Sequence, residues 1–194
     1  MEHLRNRYVV MRHGKSLANE QKIIVSHHAY GVPSYGLIAE GQQQARMSVE
    51  KAFKQSVLDS ESIIVSSDFS RAKETAEIAA EVLGTHEQVL ITPKLRERFF
   101  GAYDGTENTN YEKVWADDRL DAAHTNNGVE SVEEVLARAM SLISDIEKEY
   151  AGKTILLVSH GDTLQILQTA FEKVHPSTHR TLQHLEPAEI RTLD

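Results

Sequence analysis

Two stretches of the chain carry the same chemistry. Arg12-His13-Gly14 follows the apolar run Tyr8-Val9-Val10-Met11, and His160-Gly161-Asp162 follows Thr154-Ile155-Leu156-Leu157-Val158-Ser159. Arginine offers a planar, permanently charged fork of donors that suits phosphate. Histidine can act as nucleophile or acid/base near neutral pH. Glycine lets the backbone turn without a Cβ penalty, so an anion can approach closely. A third apolar run, Ser62-Ile63-Ile64-Val65-Ser66, leads into Ser67-Asp68 and a helix whose first turn carries Arg71. A cation there faces the unfavourable end of the helix dipole, and a bound anion would explain its placement. The chemistry these residues suit is that of a phosphate.

The elements that must position them follow from periodicity. The apolar runs read as buried strands, with Val89-Leu90-Ile91 as another, stopped by Pro93, and Ile190 with Leu193 as a last one. Helical spacing occurs at Ala45, Val49, Ala52 and Phe53, and again at Ala72, Ala76, Ala79 and Leu83, where Asp68 or Ser70 can cap and Gly84 can stop the helix. Ser131-Val132-Glu133-Glu134 is a capping-box pattern opening a long amphipathic helix that Gly152 ends. A further helix is expected over Thr163–Phe171, and a weakly helical piece around Tyr111–Leu120. Strands alternating with helices predict a three-layer α/β/α sandwich with a mostly parallel central sheet. Ligands bind outside the carboxyl ends of such strands, where two neighbouring strands would place His13 and His160 together.

The 194 residues, 40% hydrophobic, suit one domain over 1–194 with a small lid insertion at about 102–128. The balance of 21 basic and 29 acidic residues, a net charge of −8, argues against nucleic acid and anionic membranes as partners. Lys113 and Trp115 could suggest base stacking, but their surroundings are acidic. No segment has the length of a membrane span and none resembles a signal peptide, so a cytoplasmic protein is expected. The chain has no cysteine, hence neither disulfides nor thiolate metal sites. Its ten histidines give no metal pattern: Pro176 follows His175, no glutamate completes a zincin motif with His179, and adjacent His27 and His28 would point apart on a strand. No metal and no cofactor are expected.

Arg12-His13-Gly14-Lys15-Ser16 with Asn19 resembles the signature of the histidine phosphatase superfamily, in its phosphoglycerate-mutase-like branch. Leu37, Gly41, Gln44 and Ala45 are similar to the next motif of that family, and Ser67-Asp68-Phe69-Ser70-Arg71-Ala72-Lys73-Glu74-Thr75-Ala76 to its second-arginine motif. Leu95-Arg96-Glu97-Arg98-Phe99-Phe100-Gly101 resembles the segment supplying its acidic catalyst, and Glu130-Ser131-Val132 and Ser159-His160-Gly161-Asp162 complete the order. Two departures stand out: Ile38 replaces the usual threonine cap, and Lys15 stands where an acidic residue is common, which would leave the pocket rim more cationic.

The resemblance implies a metal-independent phosphomonoesterase acting on a small phosphate monoester through a phosphohistidine. His13 would be the nucleophile, with Arg12, Arg71, His160 and the amide of Asn19 holding the phosphate, and Glu97 the general acid. Gly161, Lys15 and Arg98 join the expected binding set, the last two near the rim. The alternative for Glu97 is an exposed ion pair with Arg96 or Arg98. Alternatives for the whole chain are a cofactor-dependent phosphoglycerate mutase, a phosphohistidine protein phosphatase, and a non-catalytic phosphate-binding regulatory module. Between Gly105 and Gly128, five acidic residues stand against two basic ones, a net charge of −3. An acidic lid predicts preference for monophosphates whose remainder is neutral or cationic, with aromatic contact from Tyr103, Tyr111 or Trp115.

Overall fold

The computed structural model describes residues 4–193. Five strands form one sheet in the order β3-β2-β4-β1-β5, with β1 Arg7–Arg12, β2 Ile63–Ser67, β3 Leu90–Thr92, β4 Thr154–Ser159 and β5 Ile190–Leu193. Neighbours pair in parallel except β5, which runs antiparallel to β1, Tyr8 opposite Leu193. The helices are α1 Leu17–Gln21, α2 His28–Gly31, α3 Ala39–Lys54, α4 Ser70–Leu83, α5 Tyr111–Asp118, α6 Val132–Glu149 and α7 Gly161–Phe171.

The alternation of side chains along each strand builds the three layers. Tyr8 and Val10 of β1, with Ile155 and Leu157 of β4, pack on Ala139, Ile143 and Ile146 of α6 and Leu164, Leu167 and Phe171 of α7. Val9 and Met11, with Leu156 and Val158, face Ala45 and Val49 of α3 and Ala72, Ala76 and Ala79 of α4. Both faces of β1 and β4 are covered, which is why their sequences read as continuous apolar runs rather than alternating ones. The edge strand β3 is shifted by one residue from its expected place, and its Leu90 and Ile91 are exposed. Only one of its sides has a partner strand.

The caps explain most other differences. The capping box of Ser131 and Glu134 opens α6 as expected. Neither Asp68 nor Ser70 caps α4, whose N-cap is Phe69. The Asp68 carboxylate instead accepts from Arg96 Nε at 2.8 Å and Nη2 at 2.6 Å, and the Ser70 hydroxyl donates to the Ser34 carbonyl. A bidentate charged pair outweighs a single cap bond to a backbone amide. Ile38 precedes α3 with no side-chain cap. Helix α7 begins two residues earlier than its spacing suggested, directly after His160.

Helix α3 supports the turn after β1 by close approach. A Cβ added at Gly41 would lie 2.0 Å from the Lys15 carbonyl oxygen, and one at Gly14 would lie 2.3 Å from that of Gly41. Gln44 Oε1 accepts from Lys15 N at 3.1 Å. Two glycines thus let a helix start and a catalytic-type turn lie backbone to backbone. Gly41→Ala should cost about 1–3 kcal/mol of unfolding free energy by overpacking, measured by urea denaturation, because the atoms it meets are backbone and cannot rotate away.

Candidate active site

The pairing of β1 with β4 sets Arg12 opposite Ser159, so the next residues, His13 and His160, leave the sheet side by side. Their rings are 5.1 Å apart, edge to face, and both are buried. His13 Nδ1 lies 2.8 Å from its neighbour's carbonyl, that of Gly14. This bond assigns the ring proton to Nδ1 and leaves the Nε2 lone pair free, where Arg71 Nε donates at 3.1 Å. Burial, then the charges of Arg71 and Arg12, hold the His13 imidazolium pKa well below the ordinary value. The ring is neutral across the physiological range.

His160 is held from the other strand. Its Nε2 lies 2.9 Å from Ser67 Oγ, at the end of β2. That oxygen also accepts from Phe69 N at 3.3 Å, and assigning its one proton to His160 Nε2 puts the ring proton on Nδ1. Burial lowers the pKa of His160 as well, helped by Arg71. Arg71, itself buried, anchors through Nη2 on the Val25 carbonyl at 2.9 Å. Arg12 anchors through Nη1 on the Leu185 carbonyl at 2.8 Å and on His184 Nε2 at 2.7 Å. Among the described residues five buried nitrogens have no hydrogen-bond partner: Arg12 Nε, Arg71 Nη1 and His160 Nδ1 of this cluster, His184 Nδ1 next to Arg12, and His179 Nε2. Buried donors are ordinarily satisfied, and two guanidiniums beside each other without a bound carboxylate form an anion site.

Glu97 is buried in the same place, and the ion-pair alternative fails on its neighbours. Arg96 is taken by Asp68, and Arg98 by Asp118 through two bonds of 2.7 Å. Glu97 Oε1 accepts from the Arg98 amide at 3.0 Å and from Thr163 N and Oγ1 at 3.4 Å. Burial raises its pKa, with Asp162 adding to the effect and Arg71, the Arg98 amide and Arg12 opposing it. Glu130 braces this loop from behind: its carboxylate holds Arg138 at 2.7 Å and Phe99 N at 3.2 Å, and its carbonyl accepts from Arg98 Nε at 2.7 Å.

Two residues expected at the rim are not cationic there. Arg98 is fully buried in its pair with Asp118, and Lys15 reaches away to Glu40 at 2.6 Å. Asn19 commits its carbonyl oxygen to Ser16 N at 3.0 Å and Oγ at 2.9 Å, which leaves its amide nitrogen as the group able to reach an anion. At Gly161 a Cβ would stand 3.4 Å from the Arg12 guanidinium, so the glycine lets that arginine lie against the start of α7. Sequence reasoning missed His184, which sits in an irregular stretch with no motif of its own. Of the acids in 105–128, Asp118 is neutralised inside the protein, whereas Glu107, Glu112 and Asp121 are exposed.

Residues 8–194 match the profile of the histidine phosphatase superfamily, branch 1. The chain belongs to that family. It is 29% identical over 179 residues to the phosphoglycerate mutase-like protein 4 of Arabidopsis thaliana, covering 89% of this chain and 72% of that protein. It is 30% identical over 174 residues to the uncharacterized phosphatase PhoE of Bacillus subtilis strain 168, covering 89% and 80%. Among solved structures it resembles mycobacterial glucosyl-3-phosphoglycerate phosphatase in complex with VO3, at a TM-score of 0.77 and 26% identity, over 96% of this chain and 91% of that one. Members of this kind are phosphatases and mutases. Among the described residues no helix is long and apolar enough to cross a membrane.

The Arg98–Asp118 pair has a testable cost. Arg98→Met leaves the Asp118 carboxylate buried with only the imidazoles of His124, at 2.7 Å, and His179, at 3.7 Å, against it, and should lose about 3–5 kcal/mol by chemical denaturation. Replacing Arg98 and Asp118 together by apolar residues should recover part of that loss, because buried Asp162 still loses its bond from Arg98.

Proposed function

We propose that the protein is a metal-independent phosphomonoesterase that hydrolyses a small phosphate monoester through a phosphohistidine. The observation that carries this reading is the set of unsatisfied buried donors Arg12 Nε, Arg71 Nη1 and His160 Nδ1, on the residues gathered with His13, whose Nε2 meets Arg71 Nε. A phosphoryl group entering there takes the donors on its oxygens and displaces Arg71 from the nucleophilic nitrogen. Phosphoryl transfer asks mainly for positioning and charge neutralisation, and these groups supply both.

In the first step His13 Nε2 attacks phosphorus, an N–P bond forms, and the P–O bond to the leaving group breaks. Glu97 gives its proton to the departing oxygen. In the second step water attacks the phosphohistidine, Glu97 takes the proton of that water, and the N–P bond breaks to release phosphate. A neutral imidazole with its proton fixed on Nδ1 suits the attack. A carboxyl whose pKa is raised suits the donor role. We place segment 102–128 as a lid on one domain, with Tyr111 reaching the pocket: burial and the charge of Glu97 raise the Tyr111 pKa. A buried acid that serves no ion pair favours catalysis over a binding-only module, which needs no proton donor. The likeness to relatives named as phosphatases, among them a glucosyl-3-phosphoglycerate phosphatase, supports hydrolysis.

His13→Ala should lower turnover by several orders of magnitude while the protein still binds inorganic phosphate. Native enzyme quenched during turnover should carry an acid-labile, base-stable phosphoryl group; near-normal activity of the variant would overturn the mechanism. Activity should also survive EDTA. Glu97→Gln should slow hydrolysis of an alkyl phosphate far more than that of p-nitrophenyl phosphate, whose leaving group departs without a proton. Equal small losses on both would remove Glu97 from the reaction.

A further inference from the structure

The chemistry above uses Glu97 but not the buried charges behind it. Asp162, the second residue of α7, is shared between two partners. Its Oδ2 accepts from Arg98 Nη1 at 3.3 Å, and its Oδ1 accepts from the Trp115 indole N–H at 3.0 Å. Trp115 belongs to α5, in the segment placed above as a lid. Tyr111, Trp115 and Asp118 recur at i, i+4 and i+7, so one face of α5 carries all three. Tyr111 stacks on Trp115 with ring centroids 5.3 Å apart, and the Arg180 guanidinium lies over the indole ring, 3.6 Å from its centre. Asp118 closes the row in the grip of Arg98. The helix is therefore anchored on the same two residues, Arg98 and Asp162, that adjoin the acid.

We propose that Asp162 is a positioning residue that couples the seating of α5 to the acid function of Glu97. The inference rests on Glu97 as the proton donor. Asp162 stays ionised because, although burial acts against its charge, His179, Arg98 and Arg180 outweigh that burial. The groups acting on Glu97 are Asp162 from α7, Arg71 from α4, Arg12 from β1, and the amide of Arg98. Among these Asp162 alone favours the protonated acid, and it joins burial in doing so. With the indole seated, the Asp162 carboxylate has a fixed donor in place of water, and its charge acts on Glu97 through protein rather than solvent. With α5 displaced, water reaches both carboxylates, screening weakens their interaction, and the burial of Glu97 falls. Glu97 then holds its proton to a higher pH when the helix is seated than when it is not.

Asp162→Asn keeps an acceptor for the indole and removes the charge. The basic limb of kcat/KM for an alkyl phosphate should move down by roughly one pH unit, with a smaller change for p-nitrophenyl phosphate. The chain has 1 tryptophan, so its emission reports the environment of Trp115 directly, and it should stay native-like in this variant. Trp115→Phe removes the donor and leaves every charge in place; its basic limb should move in the same direction. This second variant decides the matter if the emission of Asp162→Asn shows that it does not fold. A limb fixed at the wild-type pH in a folded variant, with both substrates slowed alike, would reduce Asp162 to a structural role and overturn the proposal. Glu97→Gln run beside them separates the two failures. If it shows no leaving-group dependence, the acid reading fails; if it does and the limb stays fixed, the coupling alone fails.

Discussion

Two guanidinium groups, Arg12 and Arg71, are brought to one neutral imidazole in a buried place, where the charge of Arg12 opposes that of Arg71. Such an arrangement persists only because the scaffold holds each group by its far side. Arg12 is tied to the Leu185 carbonyl and His184, and Arg71 to the Val25 carbonyl, so the remaining nitrogens point inward. The parallel pairing of β1 with β4 fixes the centre of this arrangement, and the two helical layers keep that pairing dry. An anion would relieve the repulsion and satisfy the donors together, as the proposed phosphate site requires.

The choice of acid follows from how the chain divides three consecutive charged residues. Arg96 and Arg98 flank Glu97, and in sequence either could neutralise it. Instead each is claimed by a carboxylate distant in the chain, Asp68 or Asp118, in bidentate geometry that one glutamate could not give both. Glu97 is left with an amide, a hydroxyl and a low-dielectric setting. Its flanking cations thus shape the loop without neutralising the carboxyl, as the proposed acid role requires.

The strands and the long helices were legible because burial on two faces and amphipathic spacing both leave periodic traces; Tyr8–Met11 and Val132–Ile146 are cases of each. The two histidines were legible because they follow such strands directly. What the sequence did not disclose is partner choice over distance. Arg98 and Lys15 read as rim cations because a positive charge carries no mark of the carboxylate it will meet, Asp118 or Glu40. Asp68 read as a cap for the same reason. His184 reaches Arg12 from 172 positions away in an irregular segment, and no spacing rule predicts that contact.

The same partner choice alters what the acidic segment can do to a substrate. A formal charge of −3 over 105–128 counts Asp118 as though it met solvent, yet that carboxylate spends its charge on Arg98 inside the protein. Asp117 accepts from the Asn126 amide at 3.0 Å, and Glu107, Glu112 and Asp121 are exposed, where salt screens them. Arg180, flat on Trp115, returns a positive charge close to Arg12. On the proposed lid placement, the groups facing the part of a substrate beyond its phosphate would be Arg180 and the Tyr111–Trp115 stack rather than the exposed acids of the segment. On that placement, selectivity against a second negative group would be weaker than composition alone implies, and the aromatic pair would gain weight in its place.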